Sequence, residues 1–361
     1  MIDIKFILDY IDTDFFDVSD VNKMPFQTFH YKITDPQNNS KLIAKYFDVN
    51  SKAGLMYRYQ RNGMKRFVRH LFSKLFHLEE MSYNRWLKEN RLNKTEIERQ
   101  QREMFSKNPK ISILVPLYCT PTSYLQELIE SVRQQTYGNW ELCLSDGSGD
   151  GKMDHSYIEK VMKEDARIKL VTSEKSLSIA ENTNRALELA TGDFIAFADH
   201  DDLLSVDALY ECVKIINQHP EVEIIYSDED KVSMDGKTYF QPHFKSDFNL
   251  DLLRSMNYIC HLFVVKKKIQ EQVGLLKKEY NGAQDYDFVL RCVEQSSRIF
   301  HIPKILYHWR AHQNSTAENP ESKRYAFEAG KRAIEAHLER SNVKGIVSMG
   351  QDLGLYRVQY L

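Results

Sequence analysis

Three absences narrow this 361-residue chain before any motif is read. No apolar run approaches the roughly 20 residues that a membrane-spanning helix needs. The first residues also lack the basic start, apolar stretch and small-residue cleavage site of a secretory signal. The expectation is a soluble, cytoplasmic protein, with contact at the inner face of a membrane left open. Cysteine is sparse: Cys119, Cys143, Cys212, Cys260 and Cys292 are widely scattered, odd in number and without a C-x-x-C pair. That pattern excludes a disulfide framework and a zinc ribbon, and reads as reduced, mostly buried thiols. An excess of one charge is missing too. With 49 Lys plus Arg against 51 Asp plus Glu, the net charge of -2 gives no footing for a general nucleic-acid binder.

What is present is ample apolar side chain. The chain is 42% hydrophobic and 12% aromatic, enough for a real core and against global disorder. Its length suits one large domain plus an appendage. Residues 1–50 are aromatic and acidic and carry no assignable role. From Lys52 to His77 acids vanish, while Lys65, Arg66, Arg69 and Lys74 interleave with Phe67, Leu71, Phe72 and Phe76 at helical spacing. A basic amphipathic helix over 65–76 lies either on an anionic bilayer or against the neighbouring domain, and both readings stand. The charged helical region 51–108 then leads to Pro109.

Beyond Pro109 strands and helices alternate. "ISILVPL", "WELCLSD", "IKLVTS", "FIAFAD" and "EIIYSDED" read as strands. Helices are expected over 124–135, with Ser123 and Gln126 as a capping box, over "IAENTNRALELA", and over 206–218 capped by Ser205. This rhythm predicts an α/β fold with a mainly parallel sheet and helices on both faces. Ligands bind such sheets at the carboxyl ends of strands, and the acid clusters "LSDGSGD" and "FADHDD" both stand there.

The glycines of "DGSGDGK" miss both nucleotide-loop patterns. The third glycine is Gly151 rather than position 152, and Gly151-Lys152 precedes Met153 instead of Ser or Thr. Asp199 and Asp201, two apart in a turn, can face one hard cation such as Mg²⁺ or Mn²⁺, with Asp202 expected to cap the next helix. Asp285 and Asp287 open a helix, where the dipole favours acids. "YHWRAHQNS" brings His308, Trp309, Arg310, His312 and Ser315 into one loop, a candidate for metal or diphosphate contacts.

In this order the motifs resemble those of the inverting family-2 glycosyltransferases with the GT-A fold, over about Pro109 to Ser315. "PKISILVPLY" is similar to the family's opening strand, "ELCLSDGSGD" to its base-binding acid, "GDFIAFADHDDLL" to its D-x-D, "GAQDYDFVLR" to the base segment and "YHWRAHQNST" to the closing histidine loop. "YSDEDK" through "CHLFVV" resembles the subgroup that builds bacterial surface polysaccharides, often rhamnose-containing. Two departures stand out: Gln284-Asp285 replaces the usual Glu-Asp, and Ser145-Asp146 a frequent pair of acids.

The resemblance implies a domain over 109–316, with a nucleotide-sugar half (109–215) and an acceptor half (216–316), followed by a helix and strand over 317–361. It implies Asp285 as catalytic base, and Asp146, Tyr118, Thr120, Arg185 and Asp199 around the nucleotide sugar. Asp199, Asp201 and His312 would hold Mn²⁺ or Mg²⁺, with His308 a further candidate. Asn257, Tyr258, His261, Trp309, His308 and the acids 228–230 would face the acceptor. The donor would be a UDP- or dTDP-sugar and the acceptor a saccharide, lipid-linked if helix 65–76 meets a membrane. A non-catalytic polysaccharide-binding subunit is the alternative. A nucleotidyltransferase would want a glycine-rich basic loop where "VPLYCTPTS" has neither glycine nor lysine, and a processive synthase would want Q-x-x-R-W.

Overall fold

The computed structural model describes residues 78–311, 324–350 and 353–361. The expectations placed on residues 1–50, on helix 65–76, and on His312 and Ser315 lie outside the described residues. Two helices, α1 (Leu78–Asn90) and α2 (Lys94–Arg102), precede the sheet. The alternating part runs β1 (Ile111–Leu117), α3 (Thr122–Arg133), β2 (Trp140–Asp146), α4 (Ser156–Glu164), β3 (Ile168–Thr172), α5 (Ile179–Glu188), β4 (Phe194–Phe197), β5 (Leu203–Leu204) and α6 (Ala208–Gln218). There follow β6 (Ile224–Val232), β7 (Tyr239–His243), α7 (Leu250–Leu253), β8 (Phe263–Lys266), α8 (Lys267–Val273), α9 (Gln284–Gln295) and β9 (Ile299–Arg310). Helix α10 (Arg324–Arg340) and the hairpin β10 (Gly345–Met349) and β11 (Tyr356–Tyr360) complete the described chain.

The main sheet has the order β3-β2-β1-β4-β8-β6-β9-β5, with β7 on β6. Its first four strands pair in parallel, as the βα rhythm requires. The second half is mixed: β8 runs antiparallel to both β4 and β6, while β6 and β9 are parallel. Strands β1 and β2 are buried along their whole length. Ile111, Ile113, Val115 and Leu117 pack with Leu125, Leu128 and Val132 of α3 on one face. Leu114 and Cys143 pack with Ala180 and Ala186 of α5 on the other. Helix cover on both faces is why β1 reads as a near-continuous apolar run rather than as alternation.

Helix starts differ from the sequence reading in detail. Pro121 precedes α3 and no side chain caps it, because Ser123 already lies inside the first turn. The capping box of this region is Ser178 with Glu181, at the start of α5. Helix α6 begins after Asp207, and Ser205 Oγ donates to Asp207 Oδ1 at 2.7 Å instead of capping the backbone. Buried Asn182 on α5 joins the ends of the first two strands, accepting from Ser145 Oγ at 2.7 Å and donating to the Leu117 carbonyl at 2.8 Å. Asn182→Ala strands both partners and is expected to cost about 1–3 kcal/mol, read as a lower denaturant midpoint at unchanged slope.

Candidate active site

Parallel register brings the carboxyl ends of β1, β2 and β4 to one edge, with Leu117 beside Asp146 and Leu114 beside Phe197. Asp146, buried at the end of β2, accepts from Ser148 N at 2.9 Å and Ser148 Oγ at 2.5 Å on one oxygen, and meets His155 Nε2 at 2.7 Å on the other. Ser148 Oγ in turn accepts from Cys119 N at 2.7 Å, so the Tyr118–Thr120 loop is tied to the same acid. Thr120 Oγ1 accepts from Tyr118 N at 3.3 Å, and the Tyr118 ring is 48% exposed. Half-buried Arg185 reaches the Thr172 carbonyl at the end of β3. Tyr118, Thr120, Asp146 and Arg185 therefore share one edge of the sheet.

The acid loop after β4 meets a histidine from the other half. Antiparallel pairing of β4 with β8 ends at Phe197 opposite Phe263. Continuing that register two residues places His261 opposite Asp199, and His261 Nε2 lies 3.6 Å from Asp199 Oδ2. Its ring stacks on Tyr307 at 4.5 Å and 11°, and its Nδ1 is buried with no hydrogen-bond partner among the described residues. Tyr307 accepts from Asp199 N at 3.0 Å and donates to Asp202 Oδ2 at 2.6 Å. Buried Arg310 holds the loop from below. Its N–H donates to Asp202 Oδ1 at 2.7 Å, its Nε to the Asp201 carbonyl at 2.6 Å and its Nη2 to Glu127 at 2.5 Å. The guanidinium also lies over the Tyr124 ring at 4.5 Å.

Asp199, Asp202 and His261 thus offer ligand atoms all within 4.8 Å of one another. Of the expected set, His312 lies outside the described residues, and this cluster is the one found among those described. Asp202 is not a helix cap: it is fully buried and locked by Tyr307 and Arg310. Burial pushes its carboxyl well above the usual carboxylate range, and the charges of Asp201 and Asp199 push it further. Two carboxylates with one imidazole, and the charge of Asp201 nearby, suit a hard divalent cation such as Mn²⁺ or Mg²⁺, which relieves the repulsion of the acids. Arg310, expected among metal or diphosphate contacts, is instead a buried brace.

Asp285 stands in the first turn of α9, half-buried. Asn257 Nδ2 donates to its Oδ2 at 2.8 Å. Burial raises its affinity for a proton; the nearby His261 opposes this and Asp199 adds to it. Asn257 therefore orients this acid rather than standing apart on an acceptor surface. Gln284, where the family has an acid, accepts from Gly282 N at 2.8 Å and shapes the turn before the helix. Gly282 has φ +93, and a Cβ there would come within 2.7 Å of Ala326. Asp287 is buried and paired with Arg291 at 2.8 Å, a structural role.

Other acceptor-side expectations are corrected by burial. Tyr258 is 1% exposed, its hydroxyl accepting from Asn249 N at 2.9 Å, so its ring belongs to the core. Asp228, Glu229 and Asp230 are likewise buried, although Glu229 and Asp230 still border the cleft beside Trp309. Asp228 binds His301 at 2.8 Å, and Asp230 binds Tyr83 and His308 at 2.6 Å each. Strand alternation turns His308 to the face opposite Tyr307 and Trp309, away from Asp199. Half-buried Trp309 stands edge-on to His261 at 6.4 Å. It borders a cleft of about 250 Å³ with Glu229, Asp230, Lys231, Gln241 and His243.

A parallel half-sheet with acids at its carboxyl edge, joined to a mixed half that returns a histidine to that edge, defines a GT-A-type α/β fold. TarS of S. aureus, solved in complex with UDP-GlcNAc, shares it with a TM-score of 0.51 at 20% identity, over 63% of this chain and 66% of that one. Residues 112–274 match the sequence model of glycosyl transferase family 2, and the chain carries a domain of that family. The uncharacterized protein y4gI of Sinorhizobium fredii is 45% identical over 240 residues, which are 66% of this chain and 26% of that protein. The O-antigen biosynthesis protein RfbC of Myxococcus xanthus is 33% identical over 255 residues, 71% of this chain and 20% of RfbC. The chain spans about a quarter or less of these two relatives.

Proposed function

We propose that the chain transfers a sugar, with inversion, from a UDP- or dTDP-sugar to a saccharide hydroxyl in the building of a bacterial polysaccharide. The carrying observation is one acid, Asp285, held by Asn257 and electrostatically coupled to the Asp199–His261 cluster at the carboxyl edge of the sheet. Asp285 takes the acceptor proton as the acceptor oxygen attacks the anomeric carbon from the face opposite the diphosphate. The bond from that carbon to the diphosphate oxygen breaks with both electrons staying on the diphosphate. Asp199, Asp202 and His261 would hold a divalent ion, with Asp201 beside them; when bound, the ion neutralises charge developing on the diphosphate. No second carboxylate acid is then required. Asp146 would accept the N–H of uracil or thymine, with Tyr118 and Thr120 around base and ribose and Arg185 near the diphosphate. Trp309 would offer its ring to an acceptor sugar in the adjoining cleft. The O-antigen name of one relative supports a surface polysaccharide as product, and a lipid-linked acceptor is the further part of this reading. No described helix is long and apolar enough to cross a membrane.

A donor screen tests this. Melting temperatures recorded with UDP-, dTDP-, GDP- and CMP-sugars, each with Mn²⁺, Mg²⁺ or EDTA, are expected to rise only for a uracil or thymine nucleotide, by several degrees with metal and by less in EDTA. A ligand at 100 times its Kd adds about 2.7 kcal/mol, well within reach of such a scan. Stabilisation by no nucleotide at all would favour the non-catalytic binding subunit.

A further inference from the structure

Lys245 is fully buried, and every proton of its ammonium is used. It donates to Glu229 Oε2 at 3.2 Å, to the Ile259 carbonyl at 2.7 Å and to the His261 carbonyl. Glu229 Oε2 also accepts the His261 backbone N–H at 3.2 Å, and its other oxygen stands 3.4 Å from His243 Nδ1. The ion pair thus grips the backbone of 259–261 from both sides. That segment does not hold its shape by local preference: Cys260 has φ +33, sparsely populated for a side-chain-bearing residue. Its two ends serve the site, Asn257 binding Asp285 at 2.8 Å and His261 facing Asp199 at 3.6 Å. Buried ion pairs seldom add net stability over apolar replacements, so stability alone does not account for this one.

We propose that Glu229 and Lys245 are positioning residues, fixing the 257–261 backbone so that a single turn presents Asn257 to the base and His261 to the metal. This rests on the metal-dependent transfer proposed above. Lys245 is enclosed, and although Glu229 borders the Trp309 cleft, its oxygens are engaged by Lys245, the His261 N–H and His243. The pair acts through the loop, as outer-shell groups do when they set the orientation of a ligating histidine.

The test is Mn²⁺ affinity, measured by electron paramagnetic resonance on the full chain in wild type, E229Q and the double variant E229Q/K245M. Melting curves and metal-free UDP binding are recorded alongside. Glu229→Gln alone leaves the Lys245 charge buried without a counter-ion, whereas the double variant removes both charges and guards against simple unfolding. A folded variant with Mn²⁺ affinity weakened about 10- to 100-fold, and unchanged UDP binding in EDTA, is the expected result. Folded variants that keep wild-type Mn²⁺ affinity would overturn the positioning role and leave the metal reading standing. Loss of the fold in both variants would make the pair structural and overturn it equally. A wild-type chain that binds no Mn²⁺ would remove the metal reading, and this inference with it.

Discussion

Asp285→Asn is expected to lose transfer by a factor of about 10² to 10⁴, the usual share of a general base, while donor binding persists. The substitution keeps the shape of the side chain, and its amide oxygen still accepts from Asn257, so the first turn of α9 has no reason to move. What disappears is the capacity to take the acceptor proton. The pH profile gives a second reading. Burial raises the Asp285 carboxyl above its ordinary value, with Asp199 adding to the shift and His261 opposing it, and the base works only when ionised. The wild-type rate should therefore climb through an acid limb above the roughly 3.9 of a free aspartate, and any residual rate of the variant should lack that limb.

Linkage fixes the sign for stability. A carboxyl raised in the folded state holds its proton longer there than in the unfolded chain, so its contribution is fully present below the unfolded value and is lost as pH rises through the folded one. At neutral pH the ionised base is thus a strain on the fold, and Asp285→Asn should melt at or above the wild-type temperature. Undiminished transfer in this variant would place the base elsewhere.

What the sequence disclosed follows how local each feature is. Strand β1 begins and ends where its apolar run does, because burial on both faces writes itself into consecutive residues. The acid ends of β2 and β4 could be placed on one edge from topology alone, since parallel strands joined by helices must point the same way. The metal cluster could not. His261 reads from "NYICHLFVV" only as an acceptor-side residue, and it meets Asp199 because β8 pairs antiparallel with β4, a partnership between strands separated by β5, β6 and β7. Asp202 read as a cap because acid before a helix usually is one; Tyr307 and Arg310, a hundred residues on, claim it instead. His308 fails for a one-residue reason: its neighbours Tyr307 and Trp309 face the site and alternation turns it to Asp230. The "SDED" acids looked available for an acceptor, yet their partners His301, Lys245, Tyr83 and His308 are supplied by tertiary packing that no local pattern announces.

His261→Phe separates the two jobs of the histidine and carries the other large effect. On the proposed reading His261 is a metal ligand facing Asp199, and it is also a ring stacked on Tyr307, which itself ties Asp199 to Asp202. Phenylalanine preserves the stack and deletes the ligand, so the D-x-D-D loop should keep its shape while the cation loses its only neutral nitrogen donor in the cluster. Calorimetric titration with Mn²⁺ should show much weakened binding, and transfer should fall by about 10² to 10³, the scale at which lost electrostatic help to a developing charge is usually felt. Metal-free nucleotide binding at the Asp146 end should not change, since that pocket is built from β1, β2 and the 146–148 turn. His308→Ala is the matched control. Its Nδ1 is engaged with Asp230 on the opposite face of β9, and Mn²⁺ affinity should stay at the wild-type value. If His261→Phe binds the ion as wild type does and His308→Ala does not, the histidine that completes the site comes from the closing loop, and the D-x-D pair Asp199 and Asp201 would again be its carboxylate ligands.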